Sequence, residues 1–220
     1  MSNKIFHKLG PVLPLVKICG VRSASLARAA VEAGADLIGI ICHPGSRRYV
    51  DLVTAKEIAE VTRVMGGTPV AVLVDQSAAQ MLEFCEMTGI DSLQLHGDRA
   101  RSEQLALPAY YQRIYVCPVG SMGIRPVDLM QLRECDAQRD YVLFDHENAG
   151  AGQLFAWDKL AYTGPLQMGI AGGLNRDNVA QMLEKFSPAL VDISSGVEDL
   201  SGEKDIKLVR EFITIVNRRQ

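Results

Sequence analysis

The sequence predicts an α/β chain folded as a single (β/α)8 TIM barrel, and three observations carry that reading. Eight short apolar runs recur along the 220 residues, each followed by helical or loop material. The runs are continuous rather than alternating, as expected of parallel strands buried on both faces. Polar or glycine-rich residues follow almost every run, whereas an open doubly wound sheet, the alternative, needs them only beside a topological switch point. At this length one large core is expected, and no composition shift marks a linker. Residues 15–220 therefore read as the barrel domain and residues 1–14 as an N-terminal extension.

The first run, Leu15 to Cys19, takes its strand-forming bulk from Leu15, Val16 and Ile18 and stops at a thiol followed by Gly20, which permits a sharp exit. Ser23 to Ala33 has helical character, with Ala27, Ala30, Val31 and Ala33 on or near one face, and Gly34 closes it. Asp36 to Ile41 is the second strand. After the polar loop His43 to Tyr49, Thr54 to Met65 carries Ala55, Ile58, Ala59 and Thr62 at helical spacing, with Thr54 as its expected cap. Pro69 to Val74 is the third strand, Ala78 to Glu86 a helix stopped by Gly89, and Ser92 to Leu95 the fourth strand, leading to His96-Gly97. The fifth unit is a strand at Gln112 to Val116 with a helix expected within Val127 to Cys135. Tyr141 to Phe144, Gln167 to Ile170 and Leu190 to Ile193 complete the set of strands, running into Asp145, Ala171-Gly172-Gly173 and Ser194-Ser195-Gly196. Lys204 to Val216 is the closing helix.

Composition excludes several classes. The chain is 48% hydrophobic and 22% charged with a formal net charge of -3, which lacks the basic excess of a nucleic-acid binder. No run approaches the ~18 apolar residues of a membrane helix, and Met1 to Leu15 lacks the apolar core of a signal peptide. The five cysteines, Cys19, Cys42, Cys85, Cys117 and Cys135, are odd in number, widely spaced and free of any C-x-x-C pair. That argues against a disulfide framework and against a zinc site, so a reducing cytoplasm is the expected compartment.

In such a barrel the residues just past the C-terminal ends of the strands converge on one site. Here they are Cys19, the His43 to Tyr49 loop, His96, Asp145, Gly172-Gly173 and Ser194-Ser195-Gly196: a candidate base, a candidate acid, two adjacent arginines and two glycine-containing turns. Gly172, Gly173, Ser195 and Gly196 follow the seventh and eighth strands, where backbone N–H groups of barrels bind phosphate. The expected partner is a small phosphorylated substrate.

These residues resemble one family, the phosphoribosylanthranilate isomerases of the tryptophan pathway, over nearly all of the chain after the extension. The resemblance rests on Lys17-Ile18-Cys19-Gly20, on Pro44 with Ser46-Arg47-Arg48-Tyr49, on Gln94-Leu95-His96-Gly97 and on Leu143-Phe144-Asp145. It continues in Ala171-Gly172-Gly173-Leu174-Asn175 with Asn178-Val179, and in Asp192 to Glu198 with Lys204-Asp205. It implies an Amadori rearrangement with Cys19 as general base and Asp145 as general acid, in the cytoplasm, by a monomer or homodimer. No metal or cofactor is expected, because the substrate's own protonated imine is the electron sink. Cys19 must act as thiolate, which calls for positive charge or oriented N–H groups to lower its pKa. Arg48 resembles the arginine that holds the anthranilate carboxylate, although its neighbour Arg47 is able to exchange roles with it. Gln94 and His96 line the strand-four side, His96 either as a ligand contact or as a structural hydrogen-bond partner. The chain departs from the family in Ala149-Gly150-Ala151-Gly152, where a Gly-Gly-Thr/Ser-Gly run is usual and where Gly152 is left to contact phosphate. It also departs in Ile41-Cys42-His43 and in Val116-Cys117-Pro118. The competing readings are another sugar-phosphate barrel enzyme and a non-catalytic phosphate-ligand sensor. Retention of both Cys19 and Asp145 argues against the sensor.

Overall fold

A computed structural model describes residues 13–147, 152, 154 and 157–218. Most of the N-terminal extension, and Ala149, Gly150 and Ala151 of the departing loop, lie outside them. The elements run β1 (Leu15–Cys19), α1 (Ala24–Glu32), β2 (Leu37–Ile41), α2 (Leu52–Val64), β3 (Thr68–Leu73), α3 (Ala78–Thr88), β4 (Ser92–Leu95), α4 (Asp98–Ser102), β5 (Gln112–Gly120) and β6 (Gly123–Ile124). They continue as α5 (Pro126–Gln131), β7 (Tyr141–His146), β8 (Gln167–Ile170), α6 (Val179–Lys185), β9 (Leu190–Ile193) and α7 (Ile206–Asn217).

The strand order is β4-β3-β2-β1-β9-β8-β7-β5-β6, and β4 also pairs with β5, which closes the barrel. Its eight strands are parallel to their neighbours; β6 is a short antiparallel addition to β5. The expected barrel is therefore present, its sixth, seventh and eighth strands being β7, β8 and β9. Two registers set up the polar end of the barrel: Lys17 on β1 lies beside Asp192 on β9, and Cys19 lies beside Gly39 on β2.

Local chemistry explains most element boundaries. Ser23 caps α1 through Leu26 N, and Ser77 with Gln80 forms a capping box on α3. Gly89 takes φ +68 at the end of α3, the left-handed stop expected of it. The cap of α2 is Asp51, not Thr54: the Asp51 carboxylate accepts from Thr54 N at 2.8 Å, because the first turn begins at Leu52 and an acidic oxygen three residues upstream meets the free N–H. The fifth strand runs on to Gly120 and turns into β6, so that α5 is shorter than expected and ends in a 3-10 turn at Leu132–Glu134. Lys204 precedes α7 rather than belonging to it; Asp205 is the cap.

Side chains alternate across each strand. One face packs outward against the helices, where Val16, Ile18, Ile38, Ile40, Leu73, Val142, Phe144, Val191 and Ile193 join a single buried cluster. The other face fills the barrel, where Leu37, Val70, Ile114, Val116, Leu143, Ala171 and Leu190 form a second apolar cluster. No helix among the described residues is long and apolar enough to cross a membrane.

Candidate active site

The inward face changes character toward the C-terminal ends of the strands. A cavity of about 350 Å3 opens there, with Cys19, Gln94, His96, Asp145 and Asp192 in its wall on the polar side and Ile41, Val72 and Val74 on the apolar side. That size suits a small ligand. Of the residues expected from sequence, Cys19, Arg48, Gln94, His96, Asp145, Gly152, Gly172, Gly173 and Ser195 all line it. Gly196 does not: a Cβ there would collide with the Leu174 carbonyl, so its place is in the packing of the β8 loop against the β9 loop.

Cys19 is the last residue of β1 and 6% exposed. A Cβ on Gly39, its register partner, would lie 2.8 Å from both Cys19 Sγ and Lys17 Nζ, so the glycine is what lets the thiol and the ammonium come together. Lys17 is fully buried and donates to Asp192 Oδ1 at 3.1 Å. Burial pulls the Lys17 pKa down, but Asp192 and Cys19 more than offset it, so Lys17 stays an ammonium. For Cys19 burial is the largest influence and pushes the thiol above its ordinary value, with Lys17 and, more weakly, Lys204 pulling the other way. The positive charge that the chemistry calls for is thus present, yet in the free protein desolvation wins and Cys19 is a thiol.

Asp145 is 8% exposed near the end of β7. Burial, reinforced by Asp192, lifts its carboxyl to about 7 against the opposing pull of the His146 N–H and of Lys17. The His146 N–H donates to Oδ1 at 2.7 Å, and the same Oδ1 lies where a side chain on Gly172 would have to be, 2.9 Å from a Cβ built there. Near neutrality Asp145 is therefore still partly protonated, unlike an ordinary carboxylate.

His96 is held neutral: burial first, then Arg101 and Lys17, bring it down to about 4. Its Nδ1 lies 3.2 Å from Gln94 Nε2. With Nδ1 accepting from that amide, the ring proton sits on Nε2, 3.9 Å from Asp145 Oδ2. The pair is a polar contact, not an ion pair. Gln94 Oε1 is buried with no hydrogen-bond partner among the described residues.

Arg48, on the β2 loop, is 6% exposed and its stem crosses Gly20, whose missing side chain leaves room for it: a Cβ there would lie 2.5 Å from Arg48 Cδ. Its Nε and Nη2 grip Glu198 at 2.5 and 3.1 Å. Arg47 also reaches Glu198, at 2.7 Å, but its side chain is 62% exposed, so of the two arginines it is Arg48 that faces the cavity. Lys204 Nζ completes the cluster at 2.7 Å from Glu198 Oε1. Burial pushes the Glu198 carboxyl up, but Arg48 and Lys204 override it and hold it at about 2.

At the loops after β7 and β8, Gly172 and Gly173 take φ +79 and +65, conformations that side chains rarely adopt, and Gly152 takes φ +70 with its Cβ position 3.2 Å from Ser195 Oγ. These glycines carry no side chains of their own, which permits the close backbone approach that an anion cradle needs.

Four charged residues of the site were present in the sequence motifs without a role attached: Lys17, Asp192, Glu198 and Lys204. The first two carried a readable signal. A lysine and an aspartate inside otherwise apolar strands each need a partner, and the first and last strands of a closed barrel are neighbours. Gly39 inside the apolar run Leu37 to Ile41 was a signal of the same kind.

The comparisons with known proteins agree with one another. Residues 16–215 match the family model for N-(5'phosphoribosyl)anthranilate (PRA) isomerase. An N-(5'-phosphoribosyl)anthranilate isomerase of Streptococcus pneumoniae (strain Taiwan19F-14) is 39% identical over 201 residues, 90% of this chain and 93% of the relative. The crystal structure of phosphoribosyl anthranilate isomerase from Thermus thermophilus superposes with a TM-score of 0.79 at 26% identity, covering 94% of this chain and 100% of that one. A further phosphoribosyl anthranilate isomerase, solved in complex with reduced 1-(o-carboxyphenylamino)-1-deoxyribulose 5-phosphate, gives 0.74 at 26% identity, over 93% of this chain and 99% of that one.

Proposed function

The chain belongs to the N-(5'-phosphoribosyl)anthranilate isomerase family, an isomerase of tryptophan biosynthesis, and from that premise we propose that it performs an Amadori rearrangement with Asp145 as general acid and Cys19 as general base. The substrate is N-(5-phosphoribosyl)anthranilate and the product 1-(2-carboxyphenylamino)-1-deoxyribulose 5-phosphate. The observation that carries the reading is the pairing, in one cavity, of a carboxyl lifted to about 7 with a buried thiol beside a fixed ammonium. Two titratable groups pushed away from their ordinary values in one cleft are the mark of acid and base work.

In the first step the Asp145 proton goes to the ribose ring oxygen, the C1–O bond breaks, and the anilino nitrogen lone pair forms the iminium. In the second, the Cys19 thiolate takes the proton from C2 and the C–H electrons move into the iminium, giving an enolamine. The enolamine then tautomerises to the ketone. The raised thiol pKa of the free protein is compatible with this order of events. Ring opening brings a cation next to Cys19, and a positive charge within a few ångströms favours the thiolate against desolvation. Lys17, held by Asp192, supplies the permanent part of that field.

Arg48 meets the anthranilate carboxylate, Ile41, Val72 and Val74 face the ring, and the phosphate lies against Gly152, Gly172, Gly173 and Ser195. The test is direct: purified protein is given phosphoribosylanthranilate and the loss of anthranilate fluorescence is followed, with Cys19→Ser and Asp145→Asn as controls. Fluorescence that decays no faster than in buffer, or equally fast with both variants, overturns the proposal.

A further inference from the structure

Glu198 lies outside the cavity wall, yet it touches Arg48, Arg47 and Lys204 at once, and its side chain is only 5% exposed. A carboxylate buried against three cations is not a solvated loop charge. Its contact with Arg48 uses one edge of the guanidinium, Nε and Nη2, and leaves Nη1 without a partner among the described residues. We infer that Glu198 is the positioning residue for recognition of the substrate's aryl carboxylate: it fixes Arg48 by one edge so that the other edge is presented to the cavity. The inference rests on the proposed role of Arg48 as the group that meets that carboxylate.

The surroundings of Glu198 are built to keep it still. Lys204 Nζ donates to Glu198 Oε1 and to the carbonyl and hydroxyl oxygens of Ser194, both at 3.1 Å. The Ser194 hydroxyl in turn donates to the Cys19 carbonyl at 2.9 Å. The backbone closes the same unit, through a bridge between Glu198 and Lys204 and a bond from Asp205 N to the Val197 carbonyl at 2.9 Å. Arg22, on the β1 loop, pairs with Glu203 and donates to the Arg47 carbonyl at 3.2 Å. The β1, β2 and β9 loops are thus tied together, the β2 loop to the β9 loop through the Glu198 carboxylate and the β1 end through Ser194 and Arg22. A guanidinium restrained in this way loses little rotamer freedom when a second carboxylate arrives, and its planar fork favours bidentate pairing. An unrestrained one, on a rim that also binds phosphate, has no reason to prefer the carboxylate end of the substrate.

The test compares two substrates, phosphoribosylanthranilate and N-(5-phosphoribosyl)aniline, which lacks the carboxylate. The parent is expected to favour the first by a lower KM. Glu198→Gln is expected to raise KM for the carboxylated substrate ten- to about a hundred-fold, the range of one charge-assisted contact, and to leave KM for the aniline substrate close to the parent's. Glu198→Asp, which keeps the charge, is expected to recover part of the discrimination and to show that loss of fold is not the cause. Equal losses on both substrates, or none on either, overturn the inference. Arg48→Ala separates the two layers of argument. If it abolishes discrimination and Glu198→Gln does not, only the role of Glu198 fails; if Arg48→Ala leaves discrimination intact, the arginine has been misplaced and the inference falls with it.

Discussion

The two faces of the same strands are equally buried and chemically unlike. On β1, the outward Val16 and Ile18 are 1% and 0% exposed, and the inward Lys17 and Cys19 are 0% and 6% exposed. On β7 the outward Val142 and Phe144 pack under the helices, while inward Leu143 gives way to Asp145 one pleat higher. On β9, Val191 and Ile193 face out, and inward Leu190 is followed by Asp192. The outward face meets mostly apolar helix surfaces, and the few polar groups it carries are paired there, as the Tyr115 hydroxyl is with Asp128 Oδ1 on α5 at 3.1 Å. The inward face meets itself around a closed ring, so a lysine on one strand finds an aspartate on the next. Burial alone therefore says little about role in this barrel; the parity of a residue along its strand, and its height, say much more.

The contrast between the faces is sharpest where a substitution removes chemistry without removing volume. Asp145→Asn keeps size and hydrogen bonding but has no proton to give, and Cys19→Ser replaces the proposed base with a far weaker one. Each is expected to lower turnover by about 10² to 10⁴-fold with substrate binding little changed. Turnover within a few-fold of the parent in either steady-state assay would mean that the residue only caps its strand.

Breaking the outward face should do the reverse. Ile18→Ala, one residue from the base but under the helices, is expected to cost about 2 to 5 kcal/mol in urea unfolding, as other large-to-small core changes do, while turnover per folded molecule stays near the parent's. A large fall in turnover with little lost stability would erase the distinction between the faces.

A third consequence concerns pH. Asp145 titrates at about 7 and Cys19 above its ordinary value. The pair holds two protons below about 7, one proton above that, and none well above the ordinary thiol range. On the proposed mechanism the working form, acid protonated and thiol ionised, is the minor arrangement of the singly protonated pair. kcat/KM is therefore expected to rise as pH passes through about 7 and to fall only above the ordinary thiol range, with both limbs belonging to the pair. A fall beginning near 7 would show the thiol already ionised in the free enzyme.

The same carboxyl also bears on stability, in a direction fixed by its shift. A carboxyl raised in the folded state stabilises fully only below its unfolded pKa, and that contribution is lost as pH rises from about 4 to 7. Asp145→Asn should accordingly become more stable than the parent as pH increases across that window, by a margin of order 4 kcal/mol at full ionisation for a shift from 3.8 to about 7. Denaturant unfolding at pH 5 and pH 8 reads the larger part of it, and an unchanged difference would show Asp145 solvated rather than buried. The smallest effects belong to the rim. Arg48→Ala is expected to raise KM more than it lowers turnover, and Arg47→Ala, whose side chain is 62% exposed, to do less.

Much of this was legible from residues alone. Continuous apolar runs ending in polar residues announced the closed parallel sheet, since strands buried on both faces cannot alternate. Cys19, Asp145 and the paired glycines stood out because strand ends in a barrel converge, and every one of them except Gly196 lines the cavity. What the residues did not show was the outcome of competing long-range influences. The extension of β5 goes with its pairing to β7, where Val119 lies beside His146, and the β6 hairpin adds to β5 alone. The choice of Arg48 over Arg47 was open because adjacent side chains diverge according to a loop backbone that sequence does not specify. Only closure of the barrel brings Lys17 to Asp192 across 175 positions and Arg48 to Glu198 across 150. The upward shift of Cys19, against the expectation from nearby positive charge, follows from burial, which is a property of everything packed around the thiol. Architecture and the strand ends at which Cys19 and Asp145 meet were readable in the residues, because these rest on local pattern and strand order. The protonation states and the clamp on the arginine came from the folded molecule, because they arise from groups far apart in the chain that share one low-dielectric space.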